Sequence, residues 1–291
     1  MSIHILKKII RNEEGEYMPE LPEVETVKEA LKKRILNKVI KDVDIYWNKI
    51  VEYPELKEFS NLLKGQTIID IKRRGKWLLF ELNDFYLLSN LRMEGKYFLK
   101  NNTDKIEKHE HVVIRFIDNT ELRYHDTRKF GKMYLLNKEE LNMKGPLINL
   151  GLEPFDPNLN VSYLKDKLKN KTIPIKSSLL DQSIIAGIGN IYADEILFRS
   201  NINPSRNSNK LTEQELKKII DSTKEILSKA IEKGGTTIRT YKALDKEGTY
   251  QNELYVHTRE NKKCLICESL IKKTRVGGRG TYYCPNCQKK K

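Results

Sequence analysis

Residues 77–91 read WLLFELNDFYLLSNL: an apolar run from Trp77 to Leu82, the turn pair Asn83-Asp84, and a second apolar run from Tyr86 to Leu91. Two β-rich runs joined by a short polar turn form an antiparallel pair. Similar runs surround it, from Val39 to Tyr46, Ile68 to Ile71, Val112 to Ile117 and Leu122 to His125, the last two separated by Asp118-Asn119. Repeated short strands up to about Leu136 predict an antiparallel sandwich or barrel. One helix leads into it. In LPEVETVKEALKKRIL the apolar Val24, Val27, Leu31 and Ile35 share a face, Pro22 sits where a first helical turn tolerates proline, and Glu23 and Glu25 complement the positive helix end.

The strand pattern stops at GLEPFDP, residues 151–157, and the periodicity beyond becomes helical. The clearest helix runs from about Glu213 to Lys233, with Thr212 and Glu215 as a capping box, Leu216, Ile219, Ile220, Ile226, Leu227 and Ile231 as its buried stripe, and Gly234-Gly235 as its stop. A shorter helix is expected from Ile191 to Arg199. After Thr249 short strands surround two Cys-x-x-Cys pairs. The fold class is therefore α+β, with units at 18–150, 151–245 and 246–291.

The chain has 291 residues, enough for about two domains with buried cores. Its 54 Lys and Arg against 40 Asp and Glu leave a net charge of +14, while 38% apolar residues are too many for a disordered tail. Such a basic surface suits a polyanion, nucleic acid first, with a membrane surface or plain solubility as alternatives. No run approaches the roughly 18 apolar residues of a membrane span, and no secretory apolar run opens the chain.

All four cysteines fall in Cys264-x2-Cys267-x16-Cys284-x2-Cys287. That spacing suits a four-thiolate zinc ribbon, and four thiolates leave no open position for chemistry, so one structural Zn2+ is expected; a cytosolic dithiol pair is the alternative. Between the pairs, Gly277, Gly278 and Gly280 allow a hairpin tip bearing Arg275 and Arg279, which could enter a DNA groove or simply stay solvated. In Ala186-Gly187-Ile188-Gly189-Asn190, glycines before a helix start could bring backbone N–H groups to a phosphate, with Asn190 adding a donor, or form an ordinary tight turn. Lys72, Arg73, Arg74 and Lys76 could track phosphates or line a solvated sheet edge. His109, Glu110 and His111 lack a third ligand nearby, so no metal is expected there.

The motifs taken together resemble one family. MPELPEVE from Met18, RRGKWLL (73–79), LRMEG (91–95), HDTRKFG (125–131), LLDQ and AGIGNIYADEILF (179–198), GGTTIRTY (234–241) and the four-cysteine ribbon occur in the order found in formamidopyrimidine-DNA glycosylases. The resemblance implies a helix-two-turn-helix domain between the sandwich and the zinc ribbon. It implies excision of oxidised purines from damaged double-stranded DNA, followed by strand cleavage, by a cytoplasmic, nucleoid-associated bacterial monomer.

By the same resemblance, Pro19 is the nucleophile, acting through a free secondary amine, and Glu20 the general acid, with Glu23 a second carboxylate one turn on. Lys76 transfers the β-elimination proton and Arg279 serves δ-elimination. Met93, Arg128 and Phe130 form the wedge that fills the gap left by a flipped base. His109, Arg128, Lys171 and Asn190 contact DNA, and the segment from Thr236, together with Glu94, reads the base. Asn90 stands where many members have His, and still offers a phosphate donor without a titrating charge. The nearest alternative is an endonuclease VIII-type enzyme for oxidised pyrimidines, against which Leu21 and Arg128-Lys129-Phe130 speak. An alternative of another class is a non-catalytic zinc-ribbon DNA-binding protein.

Residues 1–17 would bury the proline nitrogen in a peptide bond. Either proteolysis exposes it, or translation starts at Met18, whose removal a following proline permits. Glu13-Glu14-Gly15-Glu16 can be encoded as GAAGAAGGAGAA, which holds AAGGAG about five nucleotides before the Met18 codon, so the leader is expected to be non-native. It carries Lys7, Lys8 and Arg11 against Glu13, Glu14 and Glu16, so the net charge belongs to the rest of the chain.

Overall fold

The computed structural model describes residues 18–236 and 248–290; the leader segment 1–17 lies outside them. Helix α1 (Leu21–Ile35) is followed by strands β1 (Ile40–Ile45) and β2 (Val51–Tyr53), helix α2 (Leu56–Leu63), and strands β3 (Asp70–Arg74), β4 (Trp77–Glu81), β5 (Phe85–Asn90), β6 (Lys96–Asn101), β7 (Glu110–Phe116), β8 (Thr120–His125) and β9 (Lys132–Asn137). These strands form two sheets, one ordered β1-β7-β8-β6 and the other β2-β9-β5-β4-β3, so the sandwich expectation holds and no barrel closes. One pairing departs from it: β2 runs parallel to β9.

The opening stretch is β4-turn-β5, in antiparallel register from Trp77 opposite Asn90 to Glu81 opposite Tyr86. Its unbroken apolar reading has a physical cause. Leu78, Phe80 and Leu87 face the sandwich core, whereas Trp77, Leu79 and Leu88 face outward and are covered by Leu141, Leu147 and Leu150. A sheet buried on both faces needs apolar residues at every position rather than at alternate ones. Helix α2, which the sequence reading passed over, plugs the sandwich with Phe59 and Leu63; it is short and follows a strand, which hides its period.

Helix α1 belongs to two cores. Val24, Val27, Leu31 and Ile35 pack into the sandwich, while Leu21 joins the helical core made by α3 (Val161–Leu168), α4 (Ile175–Leu180), α5 (Asn190–Arg199) and α6 (Glu213–Glu232). The Thr212–Glu215 capping box forms as expected, and the stripe is buried except for half-buried Ile231. Tyr250 and Leu254, placed with the zinc unit from sequence, pack in this helical core instead. The last unit is the hairpin β10 (Lys272–Val276) and β11 (Arg279–Tyr283) over the four cysteines. Among the described residues, no helix is long and apolar enough to cross a membrane.

Arg123, only 1% exposed, ties the 101–110 connection to β8: it donates to Glu121, Glu110 and the carbonyls of Asp104 and Lys105. Replacing it strands two buried carboxylates, for which Lys100 and Arg115 compensate only in part. Arg123→Ala is therefore expected to lower unfolding stability by about 3–5 kcal/mol in urea titration.

Candidate active site and nucleic-acid interface

The junction between the two larger cores is built on acidic side chains. Glu20, 2% exposed and immediately before α1, extends its carboxylate onto the start of α5. It accepts from the amides of Gly189 (2.7 Å), Ile191 (2.8 Å) and, more weakly, Tyr192 (3.4 Å). The glycine turn thus does present N–H groups to an anion, but the anion is Glu20 rather than a phosphate. A Cβ on Gly189 would lie 2.2 Å from the Glu20 carboxyl carbon, so the approach is possible only for glycine. Burial pushes the Glu20 carboxyl from 4.5 up to about 7, against the pull of Lys76, with the Glu23 carboxylate adding to the rise.

Glu23 is saturated. It accepts from the Glu20 amide (2.9 Å), the Tyr192 hydroxyl (2.7 Å), and the amide (2.7 Å) and hydroxyl (3.1 Å) of Thr236. These four bonds fix the Glu20 backbone, the Tyr192 hydroxyl and Thr236 around one carboxylate. Thr236, 2% exposed, is spent on Glu23, and residues 237–247 of the expected base-reading segment lie outside the described residues.

Lys76 lies in the β3–β4 turn and is the one member of its basic run left for the site. Arg73 pairs with Glu25 and Glu153, Arg74 with Glu153, and Lys72 with Glu81. The run is thus mostly internal bracing, not a phosphate track. No hydrogen bond or ion pair holds Lys76 among the described residues. Burial lowers its pKa, the carboxylates of Glu20 and Glu23 oppose that, and Arg279 and Arg92 reinforce it. Pro19, buried, stands beside Glu20 in the chain.

Arg279 is exposed on the zinc hairpin, whose position is fixed by a buried network that the sequence reading missed. Asp194 of α5 pairs with fully buried Lys176 (2.7 Å) and with His257 (2.9 Å), and accepts the Tyr282 amide (3.1 Å). Lys176 also donates to the Gly280 carbonyl and the Thr281 hydroxyl, both at 2.9 Å. Glu195 takes the amides of Tyr255, Val256 and His257. Asn190 donates to the Gly280 carbonyl (3.1 Å), so it braces the hairpin. In sequence these carboxylates look like ordinary polar positions of an exposed helix; only the burial of α5 on all sides reveals their task.

The four Sγ atoms lie within 4.8 Å of one another, with Cys264–Cys287 at 3.9 Å and Cys267–Cys284 at 3.4 Å. A tetrahedron with Zn–S bonds of about 2.3 Å has edges of about 3.8 Å, so the donors fit one zinc ion.

Two turns form an exposed rim on the sandwich. Met93, half-exposed, lies on residues 91–95, and Arg128 and Phe130 on residues 126–131; Phe130 is 47% exposed, with the Arg128 guanidinium 5.1 Å from its ring centre. Glu94 accepts the Thr127 hydroxyl, joining the turns. Asn90 is 8% exposed and its Oδ1 accepts the Arg92 amide (3.0 Å), so it shapes the Met93 turn. His109 is half-buried, next to His111 and His125. Lys171 pairs with Asp181 at 3.0 Å, at one-third exposure.

Residues 18–133 match the formamidopyrimidine-DNA glycosylase N-terminal domain, 150–242 its H2TH domain, and 261–290 the zinc finger found in FPG and IleRS. The chain belongs to the formamidopyrimidine-DNA glycosylase family. It is 48% identical over 276 residues to the formamidopyrimidine-DNA glycosylase of Oceanobacillus iheyensis, covering 94% of this chain and 99% of the relative. The Bacillus licheniformis protein of that name is 47% identical over 275 residues, covering 94% and 100%. Among solved structures, a Lactococcus lactis FPG mutant in complex with Fapy-dG containing DNA aligns with TM-score 0.88 and 42% identity, over 94% of this chain and 100% of that one. The Lactococcus lactis Fpg bound to DNA containing an abasic site gives 0.87 and 41%, over 93% and 100%.

Gly189→Ala drives its Cβ into the Glu20 carboxyl and displaces it from α5. Single-turnover base excision is expected to fall on the order of 100-fold, with zinc content by mass spectrometry and the circular-dichroism spectrum unchanged.

Proposed function

We propose that the chain is a bifunctional DNA glycosylase and abasic-site lyase of base-excision repair, removing 8-oxoguanine and formamidopyrimidines from duplex DNA in the bacterial cytoplasm, on the nucleoid. The observation that carries this reading is Glu20: a buried carboxyl poised near neutrality, beside Pro19 and within electrostatic reach of Lys76. The DNA-bound relatives support a damaged duplex as substrate.

In this mechanism the lone pair of the free Pro19 amine attacks the sugar C1′, and the bond from C1′ to the base breaks, its electrons leaving with the base. The proton that the amine sheds on attack neutralises the departing base; Glu20 then protonates the ring oxygen as the C1′–O4′ bond opens, and the nitrogen lone pair forms the iminium. The iminium acidifies the C2′ proton. Lys76, kept poorly solvated, is suited to move that proton as the C3′–O bond breaks, and Arg279 faces the phosphate leaving in the second elimination. Zinc, when bound, supplies a structural cross-link and no chemistry. Asp194, Lys176 and Asn190 hold the hairpin that carries Arg279. The rim of Met93, Arg128 and Phe130 is suited to enter the duplex, and Lys171 can exchange Asp181 for a phosphate. The division into units at 18–150, 151–245 and 246–291 belongs to this proposal; the apolar clusters support three units, although Leu21, Tyr250 and Leu254 pack across these bounds into the helical one.

Borohydride trapping on an 8-oxoguanine duplex tests the nucleophile. A protein beginning at Pro19 is expected to form a covalent adduct and one beginning at Ser2 to form none. Adduct from an intact Ser2 start would sink the proline mechanism, and trapping on oxidised pyrimidines alone would favour the endonuclease VIII-type alternative.

The raised carboxyl of Glu20 also sets a pH dependence. The acid is protonated below about 7 and ionises above it, so excision is expected to fall about tenfold per pH unit on the alkaline side in single-turnover pH profiles. A limb starting instead near pH 4.5 would refute the assignment.

A further inference from the structure

Asp126 precedes the rim residues Thr127 to Gly131 and has no exposed surface. Its Oδ1 accepts the Arg128 amide at 2.9 Å, and its Oδ2 accepts the amides of Phe130 and Gly131, each at 2.8 Å. The backbone of Asp126 is equally engaged: its amide donates to the His109 carbonyl (3.0 Å), and its carbonyl meets His111 Nε2 at 2.7 Å. One buried residue therefore connects the loop bearing Arg128 and Phe130 to the strand end bearing His109.

The loop needs such a fastening. Lys129 adopts φ +60°, a left-handed conformation that costs a non-glycine residue free energy and persists only where the surroundings enforce it. Three charge-assisted bonds from backbone N–H groups to one carboxylate provide that enforcement. Gly131 closes the loop against Tyr124, where an added Cβ would lie 1.9 Å from the phenol oxygen. Phe130 is exposed with the Arg128 guanidinium over its ring, so the fastened loop presents both side chains together.

We propose that Asp126 is a positioning residue for base extrusion: its carboxylate pre-forms the loop so that Arg128 and Phe130 enter the duplex without an ordering cost at the moment of binding. This rests on the wedge assigned above. Asp126 is fully buried, so its role is exerted through the three amides its carboxylate holds.

Two readouts test it on the protein beginning at Pro19. The first is hydrogen exchange of the 126–132 backbone in the DNA-free protein, which requires no activity. Asp126→Asn leaves one oxygen for the Phe130 and Gly131 amides and turns an NH2 toward that of Arg128, so exchange should accelerate at least tenfold there and remain unchanged in α6. The second compares single-turnover excision of 8-oxoguanine with cleavage at a preformed abasic site, where no base has to be expelled. Excision should fall on the order of 10- to 100-fold and abasic-site cleavage by less than about threefold. Asp126→Ala should exceed Asp126→Asn in both readouts, and the Asn variant keeps the test usable if the Ala variant fails to fold.

Unchanged exchange in Asp126→Asn overturns the proposal, as does a parallel loss of excision and cleavage, which marks a general structural role, or full retention of excision. Absence of both activities in the unsubstituted protein would instead strike the functional reading, and the exchange result keeps the two failures apart.

Discussion

A carboxylate resting on the first amides of a buried helix is the interaction on which this molecule turns. Glu20 leaves α1 at its N-terminal end and meets α5 at its own, so the partial positive charges of both helix starts converge on one side chain. The contact joins the sandwich to the helical core, since α1 packs in the first and Leu21 in the second. It also makes the carboxyl useful: held out of water it titrates at about 7, so a protonated fraction persists near neutral pH.

From that contact the other buried charges follow along α5 in order. Glu20 occupies its start, Asn190 reaches the zinc hairpin, Asp194 pairs with Lys176 and hydrogen-bonds His257, and Glu195 gathers three amides of the following loop. Burying these groups is costly, and each is offset by a specific partner, so the helix tolerates almost no alternative docking. The zinc hairpin is thereby located relative to Glu20 and Lys76 by charge pairing and hydrogen bonds. Glu20 and Lys76 come from the sandwich unit and Arg279 from the zinc hairpin, and Lys76 senses both of the others electrostatically because of this framework.

The rim on the sandwich follows the same logic on a smaller scale. Asn90 braces the Met93 turn, Asp126 braces the loop of Arg128 and Phe130, and Glu94 links the two through Thr127. Polar side chains close to the rim serve the backbone, leaving the apolar and cationic tips exposed. Several residues whose type suggested phosphate contact also hold protein: Asn190, Asn90, Arg73 and Arg74 all have internal partners.

The sequence by itself determined the local elements with strong periodicity, namely α1, the β4–β5 pair, the capped helix α6 and the cysteine ribbon, because period, capping residues and ligand spacing are properties of neighbouring residues. The motif order was likewise enough to imply the family and most of the site. What only the tertiary structure decided is which anion the glycine turn meets, which of the basic residues remain free to act, and why α5 is lined with carboxylates. Those outcomes depend on groups about 170 residues apart, such as Glu20 and Ile191, and on burial that no local pattern records. The acidity of Glu20 belongs to the same class: its type is written at position 20, but its pKa is set by the water that folding removes.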